Sequence, residues 1–270
     1  MCKVLLTLPI VGVLLIIGCE NPQGPDVAPT VTYEAIQNGA GLRLAWTALS
    51  GVDGYYVYVN EGAAPECTTT AISVDVFGPA KVIEICGYTG DKDGPKWSSG
   101  TELEPAVSTI TVYGASDPSP TNPSGFGFAT DGSAITYPLS GADTLTNWPK
   151  IDLYLEDRVK AMNLFAPTDV PPAAFPYHDL NSEPNSSVEM SGIAHLDDAD
   201  SAYTPGGTYS TQTVLAIGGV YSFWIDEGPT GWDKDYDHFG KLEVLSISGT
   251  KVDIKVAYQK KTGYRMLVTD

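Results

Sequence analysis

From Thr30 onward, apolar residues recur at every second position in short runs, and Gly, Pro, Asn or Asp interrupts each run before it reaches helical length. Val31-Thr32-Tyr33-Glu34-Ala35-Ile36, Leu42-Arg43-Leu44-Ala45-Trp46 and Tyr55-Tyr56-Val57-Tyr58-Val59 are divided by Asn38-Gly39 and by Gly51-Val52-Asp53-Gly54. A period of two sends successive side chains to opposite faces, so each run makes a half-buried strand and cannot make an amphipathic helix. The same pattern returns at Lys150–Leu155, Val214–Ile217, Val220–Ile225, Leu242–Ile247, Lys251–Tyr258 and Tyr264–Val268. The chain is expected to be all-β. Its last three runs, separated by Ser248-Gly249-Thr250 and Lys261-Thr262-Gly263, are expected to form a terminal meander of hairpins.

The N-terminus is of another kind. Lys3 is followed by a run of Val, Leu and Ile, broken by Pro9 and ending in Ile16-Ile17-Gly18-Cys19. A positive start, an apolar stretch shorter than a bilayer span and a small residue before the cut describe an export signal. The ending resembles the lipobox of bacterial lipoproteins, which implies cleavage before Cys19 and a diacylglycerol on its thiol. Cys2 would be lost with the leader. Glu20 in place of Asp implies, by the same resemblance, an outer-membrane address. The chain is thus expected to be exported and held to a membrane by lipid alone. Asn21 to Pro29 carries three prolines and is expected to extend as a tether.

Length and Pro/Ser/Gly-rich punctuation divide the remainder. We expect a signal over 1–18, a tether over 19–29, a first domain over 30–115, a linker over 116–124 (within GASDPSPTNPSG) and a β-rich second domain over 125–270. Leu42 to Trp46, followed by Gly54-Tyr55-Tyr56-Val57-Tyr58, resembles strands B and C of a fibronectin type III domain, with Trp46 as the core tryptophan. Lys81 to Tyr88, Asp91-Lys92-Asp93-Gly94 and Trp97-Ser98-Ser99 are similar to strand F, the F–G turn and the closing serines. The resemblance implies an immunoglobulin-like sandwich that acts as a spacer or adhesive module without catalysis. In the second domain, Gly125 to Thr130, Ile151 to Leu155, Val220 to Trp224, Phe239 to Val244 and Val256 to Gln259 are similar to HmuY-like haem-carrying outer-surface lipoproteins. That resemblance implies a fold and no particular ligand residue.

Charge excludes one class of partner. With 33 acidic residues against 15 basic ones and a net charge of -18, no Lys/Arg cluster exists to track a phosphate backbone, so nucleic acid is excluded. The negative charge is spread evenly: 13 acids against 4 bases over 20–122, and 20 against 10 over 123–270. This is the even surface charge of a soluble exported body and not an acidic tail.

Candidate sites follow from residue chemistry. Cys67 and Cys86, an even pair in an exported chain, are expected to form a disulfide. His178, His195 and His238 are candidates for haem or metal, or else loop histidines with local hydrogen bonds. Asp233, Asp235 and Asp237 would place three oxygens on one side of an extended loop, which suits Ca2+. The run lacks the glycine and the twelfth-position Glu of an EF-hand, and a solvated hairpin loop is the alternative. Trp46, Tyr55 and Tyr56 suit either a sugar-stacking platform or core packing. The proline-rich stretch from Ala166 to Pro184 is expected to be a long loop on the sheet. No Gly-x-Ser-x-Gly, His-Glu-x-x-His or phosphate-binding Gly loop is present, and no catalytic role is expected. No cofactor is expected, with Ca2+ and haem as the alternatives. The partner is expected to be a protein, glycan or small molecule.

Overall fold

The computed structural model describes residues 24–139, 144–158, 161–167, 185–190, 195–205, 209–227 and 231–269. Cys19, the apolar leader, His178 and most of the proline-rich loop lie outside these residues. Among the described residues, no helix is long and apolar enough to cross a membrane.

The first half folds as two facing sheets. In chain order the strands are β1 (Val31–Ile36), β2 (Gly41–Trp46), β3 (Gly54–Val59), β4 (Cys67–Thr69), β5 (Ser73–Phe77), β6 (Ile83–Thr89), β7 (Lys92–Asp93) and β8 (Trp97–Ser98). One sheet runs β1-β2-β5 and the other β4-β3-β6-β7, with β8 also on β6. The alternation explains the packing. On β2, Leu42, Leu44 and Trp46 are buried while Arg43 and Ala45 are exposed, and Leu42, Leu44, Val57, Ile83 and Ile85 meet between the sheets. Trp46 lies in this core, edge-on to Tyr55 at 5.3 Å. Packing, not sugar stacking, occupies those two rings.

The expected disulfide is absent. Cys67 and Cys86 are free thiols. Cys67 pairs with Val57 on one side of β3 and Cys86 with Tyr56 on the other. Neighbouring β3 residues face opposite ways, so the two thiols lie on opposite faces and two strand spacings, roughly 9.5 Å, apart. A disulfide needs Cα atoms within about 7 Å. Cys67 packs against the core, whereas Cys86 is buried on the outer side, where burial first and then Asp93 push its thiol up to about 11.

The second half is a larger sandwich. Its strands are β9 (Ala106–Tyr113), β10 (Pro123–Phe128), β11 (Ala134–Pro138), β12 (Leu153–Glu156), β13 (Asn163–Phe165), β14 (Asn185–Met190), β15 (Gln212–Val214), β16 (Val220–Asp226), β17 (His238–Ser248) and β18 (Lys251–Tyr258). They form two five-stranded sheets, β11-β10-β12-β13-β15 and β14-β16-β17-β18-β9. Phe126, Leu153, Leu155 and Leu164 from the first sheet meet Phe223, Leu242, Ile254 and Val256 from the second. On β17 the register slips between Val244 and Ser246, which turns Leu245 out to solvent.

Three expectations about organisation are corrected. Strand β9, placed by sequence at the end of the first domain, pairs along its whole length with β18, from Lys251↔Tyr113 to Tyr258↔Ala106. Residues 116–124 are therefore a connection inside the second sandwich. They are braced by Asp157, which accepts from the Ser116 N–H at 2.8 Å and hydroxyl at 2.6 Å, and by Asp117, which accepts from Asn122. Second, Tyr264–Val268 is no third meander strand. After the turn at Gly263 (φ +69°), Tyr264 and Met266 enter the core of the first sandwich, while Leu267 packs with Trp224 and Phe239. The Tyr264 hydroxyl donates to the Gly78 carbonyl at 2.9 Å and accepts from the Ala80 N–H at 3.1 Å. An apolar alternation is satisfied by any core within reach, and here that core belongs to the other sandwich. Third, the expected tether is seated from Gly24 onward, with Pro25 against Gly87 and Gly94.

The halves are thus joined by shared core and not by a free linker. Tyr264→Ala should cost about 3–5 kcal/mol, the range for deleting a buried aromatic ring. It should lower the midpoint of one shared denaturation transition, seen equally by probes in both sandwiches; loss of the first sandwich alone would show that the two are uncoupled.

Candidate functional site

Beside the ends of β10 and β18 in the second sandwich lies a pocket of about 510 Å3. It is lined by Phe128, Tyr137, Pro149, Lys150, Asp152, Glu227 and Tyr258. Each wall follows from strand register. Phe128 ends β10 and Tyr258 ends β18, and their rings stack at 4.2 Å across the gap between the sheets. Phe128 also stacks on Phe223 at 5.5 Å. Phe223 has room because it pairs with Gly240, where any Cβ would occupy the space of its ring. His238, at the start of β17, stacks on Tyr258 at 4.9 Å.

Asp152 enters from the other sheet. The β10–β12 ladder ends at Phe126↔Leu153, and next to it the Asp152 N–H donates to the Phe126 carbonyl at 3.0 Å, which holds the Asp152 carboxyl near the Phe128 N–H. Gly127 is obligatory at this point, since a Cβ would collide with the Lys150 carbonyl and come within 3.1 Å of Asp152 Oδ2. Glu227 directly follows β16 and brings the second carboxylate.

The electrostatics of the pocket raise both of its carboxyls. Burial first, and then the Glu227 charge, push the Asp152 carboxyl up to about 7, with only the Phe128 N–H acting the other way. Burial and then Asp237 raise Glu227. The Tyr258 phenol is raised by burial and then by both acids. Lys150 is exposed, with Nζ 5.8 Å from the centre of the Tyr137 ring, and is not among the groups that set the Asp152 titration. Raised carboxyls in a cleft make it a candidate functional site with a physical rationale.

The residues singled out by sequence fall elsewhere. Asp237 is fully buried, and its carboxylate accepts from Trp224 Nε1 at 3.0 Å and from the Asp233 N–H at 2.8 Å. Asp233 accepts from the Asp235 N–H at 2.8 Å, and Asp235 lies 3.5 Å from Lys234. These bonds shape a turn, and among the described residues no three metal-ligating side chains come together. His238 Nδ1 lies 3.1 Å from the Gln259 carbonyl, so the neutral ring carries its hydrogen there, and burial lowers its pKa. His195 is exposed and precedes a 3-10 turn (Leu196–Asp198) whose Leu196 N–H reaches Glu243. Glu243 is five residues along β17 from His238, about 17 Å. The structure does not bring His195 and His238 together, and His178 lies outside the described residues.

In the sequence, Asp152 and Tyr258 read as ordinary strand positions and Glu227 as part of an acidic run. The available signal was Asp152 itself, a carboxylate inside the apolar alternation Ile151-Asp152-Leu153.

No family model matches the sequence, and no curated protein matches it either. The crystal structure of a DUF4466 family protein from Parabacteroides merdae is similar over 90% of this chain and 100% of that one, at 11% identity and a TM-score of 0.35.

The raised Asp152 carboxyl has a stability consequence of definite sign. Between the unfolded value of 3.8 and the folded value of about 7, the folded state holds a proton that the unfolded state has lost, so stability falls as pH rises through that window. Every tenfold difference in proton affinity between the two states is worth about 1.4 kcal/mol. Asp152→Asn should therefore raise the Tm at pH 8 and leave it nearly unchanged at pH 4; thermal melts at the two pH values check this.

Proposed function

We propose that the chain is an exported, lipid-anchored, non-catalytic binding protein whose ligand site is the acidic, aromatic-walled pocket of the second sandwich. The observation that carries this is the pocket itself, in which two carboxylates with raised pKa values face one cleft beside stacked rings. Its volume lies within the roughly 300–1,000 Å3 typical of small-ligand sites, and its lining is polar in character, with convergent charged groups beside the rings. Keeping such groups together costs stability in the empty protein, which is the usual sign of a site kept for binding.

The fibronectin-like sandwich serves as a rigid spacer. Four residues lie between Cys19 and the seated Gly24, a reach of at most about 18 Å. A lipid on Cys19 would hold the first sandwich close to the membrane and leave the pocket-bearing sandwich beyond it. Several acyl chains on one cysteine hold firmly where one is marginal.

Two measurements test this. Metabolic labelling with an alkyne palmitate analogue in a bacterial host should mark the wild-type protein, and Cys19→Ala should abolish the label and release the protein from membranes. Incubation of the purified protein with glycan and peptide panels should give no turnover; hydrolysis lost in Asp152→Asn and Glu227→Gln would replace binding by carboxylate-pair catalysis.

A further inference from the structure

The pocket's chemistry narrows its ligand, and this inference rests on its being the binding site. Two carboxylates from different sheets, Asp152 before β12 and Glu227 after β16, line one cavity with Tyr258, whose ring is 8% exposed. Among the described residues, the titratable and charged groups packed around them leave their charge uncompensated. Tyr258 from β18 is held as a neutral phenol by burial and by both acids, and β11 contributes the Tyr137 ring. His238 on β17 is kept neutral by burial, with its Nδ1 hydrogen directed to the Gln259 carbonyl. Asp237, next to His238, adds negative charge that Glu227 feels. Lys150 is the one cation among the described lining residues, and it sits at the exposed rim against Tyr137.

An anion is repelled by this arrangement. A hard metal ion is poorly served, since it asks for a shell of about six oxygens, and among the described lining residues only Asp152 and Glu227 offer carboxylates. A neutral sugar could stack on Tyr137 but would leave the carboxylates unneutralised. An alkylammonium group answers the acids directly: its charge relieves the pair, its N–H groups donate to the carboxylates, and its chain lies against the ring edges left open by the Phe128–Tyr258 stack.

We propose that this pocket binds an organic ammonium ion, with Asp152 and Glu227 as counter-charges and the Phe128, Tyr137 and Tyr258 rings as the surrounding wall. The proton at Asp152 competes with the ligand, so affinity rises with pH through neutrality. The pair therefore acts as both recognition element and pH sensor.

The test is calorimetric titration of the full exported chain in 150 mM NaCl, which screens general attraction to a protein of charge -18. n-Butylammonium and butyltrimethylammonium are the probes, and n-butanol and cellobiose are the uncharged controls. Saturable one-to-one binding of an ammonium probe is expected at pH 8, weakened on the order of tenfold or more at pH 5.5 and in Asp152→Asn or Glu227→Gln. Glu66→Gln, an exposed carboxylate on the first sandwich, should leave it unchanged. Thermal melts establish that the pocket variants are folded, and the pH dependence of the wild type stands without them. Absence of ammonium binding at millimolar concentration, or binding equal at both pH values, overturns the inference. If butanol or cellobiose binds instead, and Tyr258→Ala or Phe128→Ala removes it, the ammonium assignment fails while the pocket remains the ligand site.

Discussion

Strand β18 joins the two halves of the chain. On one edge it pairs with β9, which arrives from the first sandwich, and on the other with β17; at its end it carries Tyr258 into the pocket and then releases the tail that returns to the first core. Its alternation buries Val252, Ile254, Val256 and Tyr258 on one face. A one-residue slip would turn all four to the wrong side and withdraw the pocket's aromatic wall. The fold's register and the site's geometry are therefore a single constraint.

That frame explains why two acids can be held together. Asp152 is fixed by its backbone N–H, which donates to the Phe126 carbonyl, and by the close approach that only Gly127 permits. Glu227 is set by the end of β16, whose pairing with β17 runs from Val220↔Glu243 to Ile225↔His238. Both carboxylates are carried by backbone at strand ends, Asp152 just before β12 and Glu227 just after β16, and the Glu227 charge adds to burial in raising Asp152. A rigid sandwich is a suitable scaffold for this, because packed cores resist the small shifts that would separate the charges.

Much of the fold is legible in the sequence, for identifiable reasons. Alternation at Leu42–Trp46, Tyr55–Val59, Val220–Ile225 and Lys251–Tyr258 reports face and strand directly, and those runs are strands. Alternation does not report which core receives a face, so Tyr264 and Met266, expected beside β18, lie in the first sandwich. Nor does a Pro/Ser/Gly stretch distinguish a linker from a turn, which is why β9 falls on the other side of the expected boundary. Cysteine count carries no information about side: Cys67 and Cys86 are close in sequence but face opposite ways across β3. The pocket is hidden in the sequence because its members are dispersed over 131 positions, from Phe128 to Tyr258, and each looks ordinary until register brings them together.

The charge state of Asp152 beside Glu227 is the quantity on which the proposed binding site stands or falls. Carbon-detected NMR of the carboxyl groups across pH 3 to 9, with Asp152 assigned through Asp152→Asn, measures it directly. A titration midpoint near 7, with a smaller second inflection reporting Glu227, is the predicted result. A midpoint near 4, the ordinary carboxylate range, would mean that the acids are compensated or apart, and would contradict the assignment of this pocket as an uncompensated acidic site.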